Sequence, residues 1–123
     1  MFKFIAIFIG GGLGATGRYL TTLACSKICA CFPLGTLSVN IIGSFIMGFG
    51  FLLFMEKISV PNEFKLFLTV GFCGGLTTFS TFSLDVWNMF FAGEFLKAAL
   101  YILLSIILSL GALFAGVIVA KQF

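Results

Sequence analysis

Histidine is absent from these 123 residues, and the acids are only Glu56, Glu63, Asp85 and Glu94. Without histidine there is no Ser–His triad and no imidazole metal ligand, and few groups remain for general acid–base catalysis. Charge of either sign is scarce, at 9% of residues, where a soluble domain carries about a quarter. The 7 Lys and Arg residues leave a net charge of +3 but stand singly. That excludes the clustered basic face by which a protein holds nucleic acid. In place of charge the chain has 61% hydrophobic residues, among them 18 Phe. Such content excludes disorder and a water-soluble fold. One membrane-spanning helix uses about 20 apolar residues, so about four spans would use nearly the whole chain as a single domain, leaving little for a soluble catalytic unit.

The cysteines are Cys25, Cys29, Cys31 and Cys73. The first three read C-x3-C-x-C, which is not zinc spacing, and no histidine completes a ligand set. They read as small apolar residues in or near a membrane.

Charge-free apolar runs occupy residues 4–17, 28–55, 66–84 and 98–120. Each seeds one transmembrane helix, giving an all-α membrane protein with spans of about 2–23, 33–55, 64–91 and 95–119. Pro61 and Asn62 mark a turn between the second and third spans. Tyr19, Trp87 and Tyr101 fall near expected span ends, where amphipathic rings prefer to sit. The first run follows Lys3 as a leader peptide would. Its glycines and the lack of a small-residue cleavage site mark it as a retained span.

With these spans, one side of the membrane carries Lys3, Lys57, Lys65 and Lys121, and the other Arg18, Lys27 and Lys97. Orientation follows an asymmetry in Lys and Arg, and 4 against 3 is almost none. The chain is therefore expected to insert both ways up, with opposite copies pairing as an antiparallel dual-topology homodimer.

Small residues stand four apart at Gly10 and Gly14, Ser44 and Gly48, Gly71 and Gly75, and Gly111 and Ala115. Such pairs let helices approach closely in lipid. Residues Gly12 to Gly17 also match GxGxxG, the dinucleotide fingerprint. That motif wants a preceding strand and an acid about 20 residues on, whereas the next acid is Glu56. The match reads as a helix-packing face.

Polar groups at membrane depth are the informative part. Thr36, Asn40 and Ser44 share one face of the second span, and Tyr101, Ser105 and Ser109 one face of the fourth. Unpaired amides and hydroxyls are costly in hydrocarbon, so these stripes either bond between helices or line a wet path. The third span reads Gly71-Phe72-Cys73-Gly74-Gly75-Leu76-Thr77-Thr78-Phe79-Ser80-Thr81-Phe82-Ser83. A Gly pair followed by a run of hydroxyls loosens a helix, which predicts a break near the bilayer midplane. Broken backbone is tolerated at that depth only when buried in protein or lining a cavity. The first and fourth spans hold no acid, and Asp85 lies toward an end of the third. Donors predominate instead: the Asn40 amide and the Ser, Thr and Tyr101 hydroxyls. Phe79 and Phe82 share a face, and a phenyl ring has a positive edge. The set suits a small anion held weakly at successive points.

These residues resemble the small fluoride channels of the Fluc or CrcB family. The matching pieces are Gly11-Gly12-Leu13-Gly14-Ala15 with Arg18-Tyr19, then Gly35-Thr36-Leu37-Ser38-Val39-Asn40 with Gly43-Ser44-Phe45, and then the whole Gly71–Ser83 stretch. The resemblance implies a passive fluoride channel in the cell membrane, not an enzyme, built as an antiparallel homodimer with two pores. It implies that Phe79 and Phe82 line the pore, that Asn40 donates to the ion, and that Thr81, Ser105 and Ser109, with Tyr101, form a polar track. Arg18 would stand near the aqueous mouth. A central sodium ion would be held by the backbone carbonyls of Gly74 and Thr77. Asp85 stands where many relatives carry Glu. Fluoride that enters as neutral HF and dissociates inside would leave down the membrane potential, at about 2.3 kcal/mol per charge per 100 mV. Two other readings compete. A small four-helix multidrug exchanger needs an embedded acid, and the first 55 residues have none. A packing subunit of a larger complex would conduct nothing alone.

Overall fold

The computed structural model describes residues 1–123, except the side chain of Met55. Its elements are α1 (Phe2–Ile28), α2 (Leu34–Leu52), α3 (Asn62–Leu66), α4 (Gly74–Leu76), α5 (Phe79–Phe91) and α6 (Phe95–Ala120). No strand occurs among the described residues. A π-helical turn, Leu53–Lys57, prolongs α2, and another, Phe67–Cys73, joins α3 to α4. Helices α3, α4 and α5 thus form one interrupted rod, Asn62–Phe91. The result is four rods, one for each expected span.

Three of them, Leu34–Leu52, Asn62–Phe91 and Phe95–Ala120, are long and apolar enough to cross a membrane. At 27 residues α1 has the length, but its glycines and Arg18 dilute its apolar content and leave it outside that set. It runs on to Ile28 instead of ending near Leu23. Phe2, Phe4 and Phe8 on α1 and Leu96, Ile107 and Phe114 on α6 are exposed, as lipid-facing positions are in a bilayer.

The rods meet backbone to backbone. Gly10 and Gly14 of α1 lie against Phe67, Phe72 and Leu76 of the third rod, and Gly71 and Gly75 reciprocate. A methyl group at Gly75 would sit 2.5 Å from the Gly11 carbonyl oxygen, and one at Gly71 2.9 Å from that of Ile7. The same device joins α2 to α6, where Gly48 meets the Leu113 carbonyl and Gly116 the Phe45 carbonyl. Three of the four small pairs read from the sequence supply such contacts. The fourth is corrected: Gly111 faces open space and Ala115 is exposed, while Gly116 makes the contact. A spacing of four names a face but not which of two neighbouring faces meets a partner.

Tyr101, in the second turn of α6, is fully buried within the bundle. It sits in a cluster with Leu37, Met89 and Ala98, flanked by Phe32 and Phe82. Its hydroxyl donates to Asp85 Oδ2 at 3.1 Å, which satisfies the phenol where no water reaches.

Candidate functional site

The expected break falls at Thr77–Thr78, halfway along the third rod. Thr77 is extended, with φ −76° and ψ 155°, and so is Thr78, with φ −154° and ψ 122°. Two extended residues interrupt the helical ladder after Thr77 N–H, and side chains supply what it then lacks. Thr77 N–H and its hydroxyl both donate to the Cys73 carbonyl at 2.9 Å. The Thr78 hydroxyl caps α5, accepting from Thr81 N–H at 3.1 Å, as Ser and Thr do at helix starts.

Asn40 closes the break from α2. Its Oδ1 accepts from Thr78 N–H at 2.8 Å, and its Nδ2 donates to the Thr78 carbonyl at 3.1 Å. One amide thus satisfies both main-chain groups of a residue that is 7% exposed. The second Nδ2 hydrogen remains available.

A cavity of about 460 Å³ opens beside this bracket. Asn40, Ser44, Thr77, Thr78, Phe79, Phe82, Ser105 and Ser109 line it, together with apolar residues of α2 and α6. The Ser105 hydroxyl is buried near the Tyr101 hydroxyl, yet makes no well-formed hydrogen bond among the described residues. Phe79 is 79% exposed in the single chain, so the cavity lies on an open flank of the bundle.

A second cavity, about 400 Å³, lies toward the α1–α2 loop. Its walls include Cys25, Cys29, Cys31, Phe32, Thr36, Thr81, Asp85 and Lys97. Phe82 lines the first cavity, Phe32 lines the second, and buried Tyr101 lies between these two rings. Centroid spacings of 5.5 Å from Phe79 to Phe82, 5.2 Å from Phe82 to Tyr101 and 5.4 Å from Tyr101 to Phe32 make one continuous aromatic line.

Five of the expected pore residues, Asn40, Phe79, Phe82, Ser105 and Ser109, therefore share one cavity, and Thr77 joins them. Thr81 faces the other cavity. Tyr101 stands behind Phe82 and lines neither, and half-buried Arg18 on α1 also lines neither. Gly74 is exposed on the flank of α4. Sequence reasoning missed Thr78, although a hydroxyl three residues before Thr81 is a helix-start signal. It also missed the Asp85–Tyr101 pair, which joins two helices and so leaves no spacing to read.

This arrangement matches known proteins along its whole length. The model of the CrcB-like proteins, described as camphor resistance (CrcB), matches residues 5–117. The chain belongs to the CrcB-like family. A relative from Bacteroides fragilis, named fluoride-specific ion channel FluC, is 45% identical over 100% of this chain and 99% of its own. Relatives of the same name from Hahella chejuensis and a Sulfurihydrogenibium species are 42% and 40% identical, covering 95% and 99% of this chain and 93% and 99% of theirs. With CrcB-like membership, the three long apolar rods and α1 form a multi-pass integral membrane protein.

Proposed function

We propose that this CrcB-like chain is a fluoride-selective passive channel in the cell membrane, working as an antiparallel pair of oppositely inserted copies. The observation that carries the reading is the buried, unpartnered Ser105 hydroxyl beside Asn40, Phe79 and Phe82 in one cavity. An unpaired hydroxyl at membrane depth costs about 1–3 kcal/mol. An anion accepting from it recovers that cost. Asn40 keeps one hydrogen for the same ion after bracketing Thr78, and Ser109 adds a further hydroxyl. Phe79 and Phe82 offer ring edges, whose positive quadrupole attracts an anion without a fixed charge. Such donors replace part of the ion's water while leaving it free to move on. Thr81, in the wall of the second cavity, would receive the ion there through its hydroxyl. The curated relatives carry the name fluoride-specific ion channel, which supports fluoride over other halides.

The open flank at Phe79 supports pairing, since a cavity open along one side needs a second copy to close it. A central sodium ion fits the residues in kind. Carbonyls at an unwound helix are ligands of the sort sodium takes, and the chain leaves helical geometry at Thr77. Around Gly74 an added methyl group would meet only the Thr69 carbonyl, at 3.9 Å. Gly74 and Thr77 would hold the ion, with the second copy supplying the remaining oxygens. When bound it supplies a fixed positive charge between the two copies.

The test is efflux from liposomes holding the purified chain, followed with fluoride and chloride electrodes. Fast fluoride loss with little chloride loss is expected, and Phe82→Ile should slow it at least tenfold while dimers persist. Silence of the unaltered protein, or equal loss of both halides, would sink the reading.

A further inference from the structure

The α1–α2 loop holds chemistry that the pore reading leaves unused. Cys29 ends α1 in an extended conformation, with φ −147° and ψ 106°. A turn at Ala30 and Cys31 then folds the chain back. The Cys29 and Cys31 sulfurs lie 2.6 Å apart, both as free thiols in the wall of the second cavity. Cys31 is exposed, so an aqueous reagent reaches the pair. Phe32 follows directly and sets its ring edge-on to Tyr101, which packs on Phe82.

We propose that Cys29 and Cys31 are a reversible redox pair, converted to a disulfide by hydroperoxides, and that closing it slows ion passage. Nucleophile and resolving thiol are assigned by their surroundings. A hydrogen bond from the Cys31 thiol, then main-chain N–H groups of Cys31 and Phe32 and the Lys97 charge, hold the Cys29 thiol below its ordinary range. Its partner Cys31 is held above that range, chiefly by the same bond. The Cys29 thiolate attacks the peroxide, forming an S–O bond and breaking O–O, and the departing oxygen takes a proton and leaves as water or alcohol. The Cys31 sulfur then displaces the hydroxyl from the Cys29 sulfenic acid. An S–S bond forms, S–O breaks, and the hydroxyl leaves as water with the Cys31 proton. Both sulfurs are oxidised, and the peroxide oxygens are reduced. An exposed disulfide spanning so few residues is readily reduced again by thiols. Its closure locks the loop beside Phe32, and Phe32 passes that constraint to Tyr101 and on to Phe82 of the first cavity.

The full chain in proteoliposomes is treated with hydrogen peroxide, then denatured, so that buried Cys73 also reacts, alkylated with a maleimide and weighed. Two of the 4 thiols should become unreactive and return on adding dithiothreitol. Cys29→Ser and Cys31→Ser should each abolish that loss, while Cys25→Ser keeps it. Fluoride efflux, which presupposes the channel reading, should fall severalfold on oxidation, recover on reduction, and not respond in Cys29→Ser. Full alkylation after peroxide, or a bond from Cys25 or to a second chain, overturns the pair. A clean Cys29–Cys31 disulfide with unchanged efflux overturns its effect on passage. Absence of efflux from reduced, unmodified protein counts instead against the channel reading, because the thiol measurement is independent of it.

Discussion

Replacing Asn40 by Ala removes both partners of Thr78 at once. The Thr78 N–H loses a bond of 2.8 Å and its carbonyl one of 3.1 Å. Neither can turn to a helical neighbour, because Thr77 and Thr78 are both extended. A buried main-chain group left unpaired costs about 1–3 kcal/mol, so the pair would cost about 2–6 kcal/mol. The adjoining cavity lets water in, which favours the lower end, near 2 kcal/mol. That is about a thirtyfold shift in a folding equilibrium. An ordinary interhelical hydrogen bond in a membrane contributes only about 0.6 kcal/mol, so the expected loss stands well clear of that background. The measurement is reversible unfolding in mixed micelles, with fluoride efflux beside it. Asn40→Asp separates the two roles of the amide. It still accepts from Thr78 N–H but places a negative charge in the proposed anion path, so it should lose flux more completely than stability. Wild-type stability together with wild-type efflux in Asn40→Ala would refute the bracket.

Gly75→Leu should prevent folding, because its Cβ would meet the Gly11 carbonyl, whereas Gly111→Ala, with open space around it, should shift stability by less than about 0.5 kcal/mol; thermal melts in detergent compare the two. Ser105→Ala removes a buried hydroxyl that has no partner, so stability should hold or rise while fluoride efflux falls about tenfold, and unchanged efflux would remove Ser105 from the path. Cys31→Ala takes away the main donor that lowers the Cys29 thiol. The Cys29 pKa then rises, less thiolate is present at neutral pH, and the pH profile of its alkylation should move upward.

Much of the site is legible because membrane depth makes polar residues expensive. Asn40, Ser105 and Ser109 stand out against an apolar background, and the Gly74-Gly75 pair before a run of hydroxyls locates the break to within a few residues. Its seat at Thr77–Thr78 depends on Asn40, which lies 38 residues away in sequence and leaves no local sign. Tyr101 shows the limit of reading by position. Its place near a span end suggests where the ring sits along α6, but not that Asp85 on another helix gives its hydroxyl a partner inside the bundle. The helix faces follow from the glycine spacing on α1 and the third rod. On α6 the choice between Gly111 and Gly116 is made by the carbonyls of α2 that come to meet it.

The break has a consequence for how the site responds to acid. Because the chain starts a new helix at Phe79, the first N–H groups of α5 lie beside the cavity, and their aligned dipoles amount to roughly half a positive charge. Asn40, Ser105, Ser109 and the two Phe rings around it have no proton to gain or lose between mildly acidic and mildly alkaline conditions. A lysine or histidine in the same place would vary in charge with its surroundings. Here the attraction is written into the main chain, so it persists unaltered when the medium turns sour.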